Sequence, residues 1–259
     1  MKRYYYFIEF QYLGFRYHGW QKQENVKTVQ GMINRTLNYI LDDETKFRTI
    51  ASGRTDAMVS VNHSAFELFV YQELEVEHFF IELNKNLPSD IRALSMTEVD
   101  DKFNIINNPK IKKYTYLFAF GEKFHPFCAP YMTFIQEDLD IELMKKGAKL
   151  FEGQHNFECY CYKPKPETQF HRAVDLCELR LNDIHTASFF PETSYVLHVY
   201  GKGFMRHQIR LMMGALIRLG RGEITLKNIS QSLMGAQGET VEYYIAPSSG
   251  LMLNKVDFE

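Results

Sequence analysis

Four cysteines, eight prolines and a single tryptophan in 259 residues leave this chain with little covalent or conformational punctuation. Cys128, Cys159, Cys161 and Cys177 are too few and too irregularly spaced for a disulfide framework. Cys159-Tyr160-Cys161 offers half of a metal site, but no matching pair stands at zinc-ribbon spacing, so reduced thiols and no metal are expected. Long hydrophobic runs are also missing. Leu211 to Ile217 is the longest uncharged apolar stretch, far short of the ~18 residues that cross a bilayer, which argues against a membrane-spanning helix. Met1-Lys2-Arg3 leads directly into Tyr4-Tyr5-Tyr6, with no apolar h-region and no small-residue cleavage site, so a cytoplasmic location is expected. Neither sign of charge dominates. Thirty basic and 32 acidic side chains give a net charge of −2, with a pI near 6.5, which excludes a global attraction to polyanions. Any nucleic acid must therefore meet a local basic face.

Aromatic residues are what the chain has in plenty, 16 Tyr and 21 Phe, and most of them are expected to pack cores. Arg3 to Tyr12 reads as a strand ending in a turn at Gly14. From Thr28, a helix N-cap, apolar residues recur at Val29, Met32, Ile33, Leu37, Ile40 and Leu41 with the 3.6-residue period of an amphipathic helix. Strands over Phe47 to Ser52 and Val59 to Val70 flank a turn at Gly53 to Met58, and a helix from Leu74 to Asn86 ends before Leu87-Pro88. After the Asn- and Pro-containing segment Asn104 to Pro109 the pattern begins again. It gives a strand at Lys113 to Phe120, a helix at Asp138 to Phe151, a loop at Lys163 to Glu167, and strands at Val174 to Leu181 and Ser194 to Tyr200. A longer helix from Phe204 to Leu219 is closed by Gly220-Arg221-Gly222. The reading is an α+β protein of two α/β domains, residues 1–105 and 106–259.

Two stretches carry candidate chemistry. In Ala51-Ser52-Gly53-Arg54-Thr55-Asp56-Ala57 an acid follows an arginine by two residues within a Gly-containing turn between apolar strands, where it can face a ligand. The same residues also make an ordinary turn with a local ion pair, and both readings stand. On the Phe204 helix, Arg206 and Arg210 lie four residues apart and share a face, with His207 beside them and Gly201-Lys202-Gly203 upstream. Such a cluster holds phosphates, pairs with a carboxylate, or is a solvated helix face. Neither glycine pair fits a Walker or dinucleotide pattern, so no nucleotide cofactor is expected.

Several blocks together resemble the tRNA pseudouridine synthase A (TruA-like) family over essentially the whole chain. They are Tyr12-Leu13-Gly14, Gly19-Trp20-Gln21-Lys22-Gln23, Val29-Gln30, Gly53-Arg54-Thr55-Asp56-Ala57, Asn86-Leu87-Pro88-Ser89-Asp90-Ile91, Tyr114-Thr115-Tyr116, Gly153-Gln154-His155-Asn156-Phe157, Phe204 to Arg210 and Ala246-Pro247-Ser248-Ser249-Gly250-Leu251. The resemblance implies antiparallel or mixed sheets joined into a central RNA-binding cleft, with the Asp56 loop in the first domain and Tyr114 and the Arg210 helix in the second. It implies isomerisation of uridine in structured RNA without a cofactor, with the tRNA anticodon stem-loop as substrate and a homodimer as the working form. Asp56 is then the carboxylate that attacks the sugar or removes a sugar proton. Arg210 is its cationic partner, Tyr114 the aromatic stacked on the base, and Arg54 the arginine holding the nucleotide out of its stack. Arg206, His207, Gln21 and Lys113 are the further expected substrate contacts. The chain departs from the family at Leu13, at Met58-Val59-Ser60 in place of Gly-Val-His, and at Ile105-Ile106 in place of Ala-Arg. The competing readings are the same chemistry on another RNA such as ribosomal RNA, a non-catalytic RNA-binding protein, and a metal-dependent hydrolase using Asp56 with His63 or His155.

Overall fold

A computed structural model describes residues 2–42, 44–107, 111–235 and 244–258. The chain divides into two compact units, one of Met1–Lys110 with Met252–Glu259 and one of Ile111–Leu251. Asn108 and Pro109, at the end of the segment read as a boundary, lie outside the described residues.

The first unit runs β1 (Tyr4–Tyr12), α1 (Val29–Ile40), β2 (Phe47–Ala51), β3 (Ser60–Val70), α2 (Val76–Asn86) and β4 (Ile91–Val99). β1 lies between β3 and β4, antiparallel to both, and β2 extends the sheet antiparallel to β3. Alternation along β1 buries Tyr6, Ile8, Phe10 and Tyr12 on one face. Phe10, Trp20 and Phe66 meet there at centroid distances of 5.2 to 6.0 Å, each burial contributing roughly 1.5–3 kcal/mol. Thr28 caps α1, its side chain accepting the Gly31 amide, and Val29, Ile33 and Leu37 face inward. The sequence gives no signal for β4, and a bulge opposite Glu9 and Phe10 is the reason. It breaks the period of two, so Ile91, Ala93 and Met96 are buried at uneven spacing.

The second unit runs β5 (Ile111–Phe120), β6 (Thr133–Ile135), α3 (Ile141–Lys149), β7 (Gly153–Asn156), β8 (His171–Val174), β9 (Leu176–Leu181), β10 (Tyr195–Gly201), α4 (Gln208–Gly220) and α5 (Leu226–Ser232). β10 is antiparallel to both β5 and β9, β6 runs parallel to β5, and β7 and β8 form a separate hairpin. The strand read over Val174 to Leu181 is two strands in different sheets, broken at Asp175, whose amide turns to the Tyr200 carbonyl. α3 is shorter than the Asp138 to Phe151 reading because Asp140 caps it through the Leu143 amide. The last strand, β11 (Leu251–Asp257), runs parallel to β3 at Met252 and Leu253, so the sheet of the first unit is mixed.

The helix expected from Phe204 begins only at Gln208. His207, its cap residue, is left-handed at φ 58°, and the Gln208 side chain bends back to accept the Met205 amide at 2.9 Å. Arg206 therefore precedes the helix and shares no helical face with Arg210, which corrects the sequence reading. The solvated face is also absent, since α4 is buried all round except at Arg210, Arg218 and Gly220.

A polar network braces the loop before β3. Asp90 takes the Tyr17 hydroxyl at 2.6 Å and the Arg16 guanidinium at 2.6 to 2.8 Å, and its carbonyl takes the Leu13 amide at 3.0 Å. Burial pushes the Asp90 carboxyl up, but the Tyr17 and Arg16 hydrogen bonds outweigh it and hold the group below the usual carboxylate range. The Tyr17 carbonyl in turn accepts the amide of Met58, a residue at φ 67°. A non-glycine residue in that region costs about 1–2 kcal/mol. Met58→Gly is accordingly expected to raise stability by roughly 0.5–1 kcal/mol, because glycine removes the strain and returns part of the gain as chain entropy; urea unfolding checks it. Asp90→Asn is expected to cost about 1 kcal/mol at pH 7. A depressed carboxyl stabilises above its unfolded pKa and loses that contribution as the pH falls through its folded pKa, so the gap from the parent protein narrows as the pH falls below about 4 in the same unfolding experiment.

Candidate active site

The loop between β2 and β3 holds Arg54 and Asp56 in the first unit. Its outer side is exposed at Arg54 and Ala57, while Asp56 is half-buried. Three contacts fix its course. The Trp20 amide donates to the Thr55 carbonyl at 3.3 Å, the Met58 amide to the Tyr17 carbonyl at 2.9 Å, and the Tyr12 hydroxyl meets the Thr55 hydroxyl at 2.7 Å. Gly19, at φ 82°, is obligatory here, since a Cβ would strike the Thr55 carbonyl. The Gly-Trp of the sequence motif thus lies alongside the Asp56 loop and sets its backbone. Ser60 accepts the buried Gly14 amide at 2.9 Å, so at this departure from the family pattern the hydroxyl serves a backbone donor.

Gln21 is exposed, and its amide donates to Gln30 Oε1 at 3.0 Å. That same oxygen accepts the Lys22 amide, and Gln30 Nε2 reaches the Thr49 carbonyl at 3.0 Å. Gln21 is therefore built into a chain of amides joining the Trp20 segment, α1 and β2. At the remaining departure Ile105 is buried, whereas Ile106 is 64% exposed and offers no cation to a ligand.

In the second unit β5 places Tyr114 opposite Val199 of β10. Its ring meets Phe204 edge-on, centroids 5.4 Å apart, and Phe204 fits because Gly201 has no Cβ to crowd it. Lys113 points to the opposite face of the strand, its ammonium 5.8 Å from the Tyr200 ring, so the two neighbours do not share a surface. Arg210 is anchored twice to one residue. Its Nε donates to the Ala246 carbonyl at 2.7 Å and its own carbonyl accepts the Ala246 amide at 3.1 Å. The segment after Ala246 straps β5 as well, the Tyr116 hydroxyl donating to the Pro247 carbonyl at 2.7 Å and the Leu117 amide to the Gly250 carbonyl at 2.8 Å. The Ala-Pro-Ser-Ser-Gly motif is thus what fixes the guanidinium of α4 relative to the strand carrying Tyr114. Arg206 and His207 gather on the ring of Tyr162, a residue the sequence reading missed because the irregular loop around it carries no periodic signal. Of the imidazoles weighed as metal ligands, His63 pairs with Glu9 at 3.1 Å and His155 meets the Glu152 carbonyl at 2.7 Å.

Comparison with known proteins agrees with the motifs. The tRNA pseudouridine synthase family profile matches residues 148–259. The chain is 32% identical over 258 residues to "tRNA pseudouridine synthase A 2" of Bacillus cereus, covering 98% of this chain and 99% of that protein. It is 31% identical to tRNA pseudouridine synthase A of Pseudothermotoga lettingae and 28% identical to that of Thermodesulfovibrio yellowstonii, each across 95% of this chain and 96% of the relative. With identity at this level sustained from end to end, the chain belongs to the tRNA pseudouridine synthase A family.

Proposed function

We propose that this protein isomerises uridine to pseudouridine in tRNA, with the anticodon stem-loop as its target. The observation that carries the reading is full-length kinship with tRNA pseudouridine synthases A together with an intact Gly53-Arg54-Thr55-Asp56-Ala57 loop. In the reaction the N1–C1′ bond of the nucleotide breaks, the uracil turns, and a C5–C1′ bond forms. The C5 proton leaves to solvent and N1 takes one up, so the change is an isomerisation that needs no cofactor.

Asp56 supplies the carboxylate, acting while ionised on C1′ or on the sugar proton next to it. Arg210 supplies the cation that keeps the acid charged, Tyr114 stacks on the uracil, and Arg54 holds the nucleotide extruded. Gln21, Lys113, Arg206 and His207 serve substrate contact, Lys113 from the strand face opposite Tyr114. As in the family the chain resembles, we take the working form to be a homodimer in the cytoplasm. The tRNA substrate supports that location, and among the described residues no helix is long and apolar enough to cross a membrane.

Tritium release from C5-labelled uridine in unmodified tRNA transcripts tests the proposal. Asp56→Asn is expected to abolish release while RNA affinity stays within about threefold, because the substitution removes the reacting carboxylate and no phosphate contact. Release that continues in this variant sinks the assignment. Arg210→Ala is expected to lower turnover and to move the acid limb of the pH–rate profile upward by about one to three units, the shift a nearby cation imposes on a carboxylate. An unmoved limb with weakened RNA binding would instead make Arg210 a phosphate contact.

A further inference from the structure

Tyr162 is the residue on which the basic side chains ahead of α4 converge. The His207 ring lies flat on its ring, with centroids 4.7 Å apart and 12° between the planes. The Arg206 guanidinium stands 5.2 Å from the same centroid and the Lys163 ammonium 5.3 Å. The Tyr162 amide also donates to the Arg206 carbonyl at 3.1 Å, so backbone and ring hold the same turn. Tyr162 itself is only half-buried, and Lys163 and Arg206 are exposed.

Two of these residues are held where non-glycine residues rarely go, Lys163 at φ 48° and His207 at φ 58°. Such backbone persists only where its surroundings over-determine it, and the contacts to Tyr162 stand among those around both residues. Cations brought to one ring repel each other and would ordinarily spread into solvent; attraction to the ring face offsets that repulsion. The result is a set of cationic side chains ordered before any ligand arrives. In a chain whose net charge is −2, affinity for a polyanion has to come from such local sets.

We infer that Tyr162 is a positioning residue for RNA, its ring presenting Arg206, Lys163 and His207 as a preformed contact for the phosphodiester backbone of the substrate. Pre-ordering reduces the side-chain freedom lost on binding, which is where long basic side chains otherwise forfeit affinity. The inference rests on the RNA reading above and adds to it a residue that acts on docking through its neighbours.

Binding of an unmodified tRNA transcript, measured at several salt concentrations for the parent protein, Tyr162→Leu and Tyr162→Phe, tests it, with tritium release and circular dichroism followed in parallel. Tyr162→Leu is expected to weaken binding about tenfold and to flatten the dependence of log Kd on log salt by roughly one to two, with maximal turnover at saturating RNA within about threefold of the parent. Tyr162→Phe recovers the affinity, because the ring and not the hydroxyl carries the role. Should Tyr162→Leu fail to fold, the double variant Lys163→Ala, Arg206→Ala reports the same loss and the same flattened slope. Parent-like affinity and slope in the folded Leu variant, or in the double variant, with tritium release intact, overturn the inference and leave the functional reading standing. An equal loss in Leu and Phe overturns the role of the ring. A parent protein that neither binds nor turns over the transcript removes the functional reading and this inference with it.

Discussion

The first unit depends on one constraint, the pinning of the Asp56 loop to the Tyr17–Trp20 segment by two backbone hydrogen bonds and a glycine that must lack a Cβ. On the function proposed above the Asp56 carboxylate acts on a sugar and needs a fixed approach, and a turn rich in small and polar residues does not fix itself. Here the fixing comes from the neighbouring segment, which is held in its own right. Tyr17 is tied to Asp90, Trp20 is packed among Phe10 and Phe66, and Thr28 starts α1 immediately beyond. Each hydrogen bond contributes only about 1 kcal/mol net, yet together they leave the loop a single course. The left-handed Met58 is the strain that this arrangement retains.

The second unit solves the same problem for a cation. Arg210 sits on a helix buried nearly all round, and its guanidinium is held at Nε by the carbonyl of Ala246. The segment that supplies this carbonyl also takes the Tyr116 hydroxyl, so α4 and β5 are indexed to each other by one short stretch of chain. A residue aimed in this way loses little freedom when it acts, which is the physical content of preorganisation. The Ala-Pro-Ser-Ser-Gly block therefore does its work through backbone carbonyls, and its side chains need not touch a ligand.

Much of this was legible from residue order alone. The alternation of Tyr6, Ile8, Phe10 and Tyr12, the Thr28 cap and the turn at Gly53 each rest on local periodicity or turn chemistry, which the fold leaves undisturbed. β4 was hidden because a bulge in its pairing with β1 breaks the period of two that marks a strand. The start of α4 was misplaced because apolar residues continue backward through Phe204 and Met205, while a left-handed His207 ends the helix there. Tyr162 left no mark because its importance lies in contacts with residues 44 and 45 positions away, made by a loop without periodicity. The motif at Gly53 to Ala57 pointed to a site, but only the geometry explains why Gly19 and Trp20 travel with it.

Amide hydrogen exchange at Trp20 and Met58 tests most directly whether the loop is pinned as described, because these two N–H groups are the donors to Thr55 and Tyr17. The account predicts that both exchange slowly, on the scale of amides inside β1 and β3. Exchange of both at the rate of an exposed loop amide such as that of Arg54 would contradict it, since the carboxylate would then ride on a loop with no fixed course.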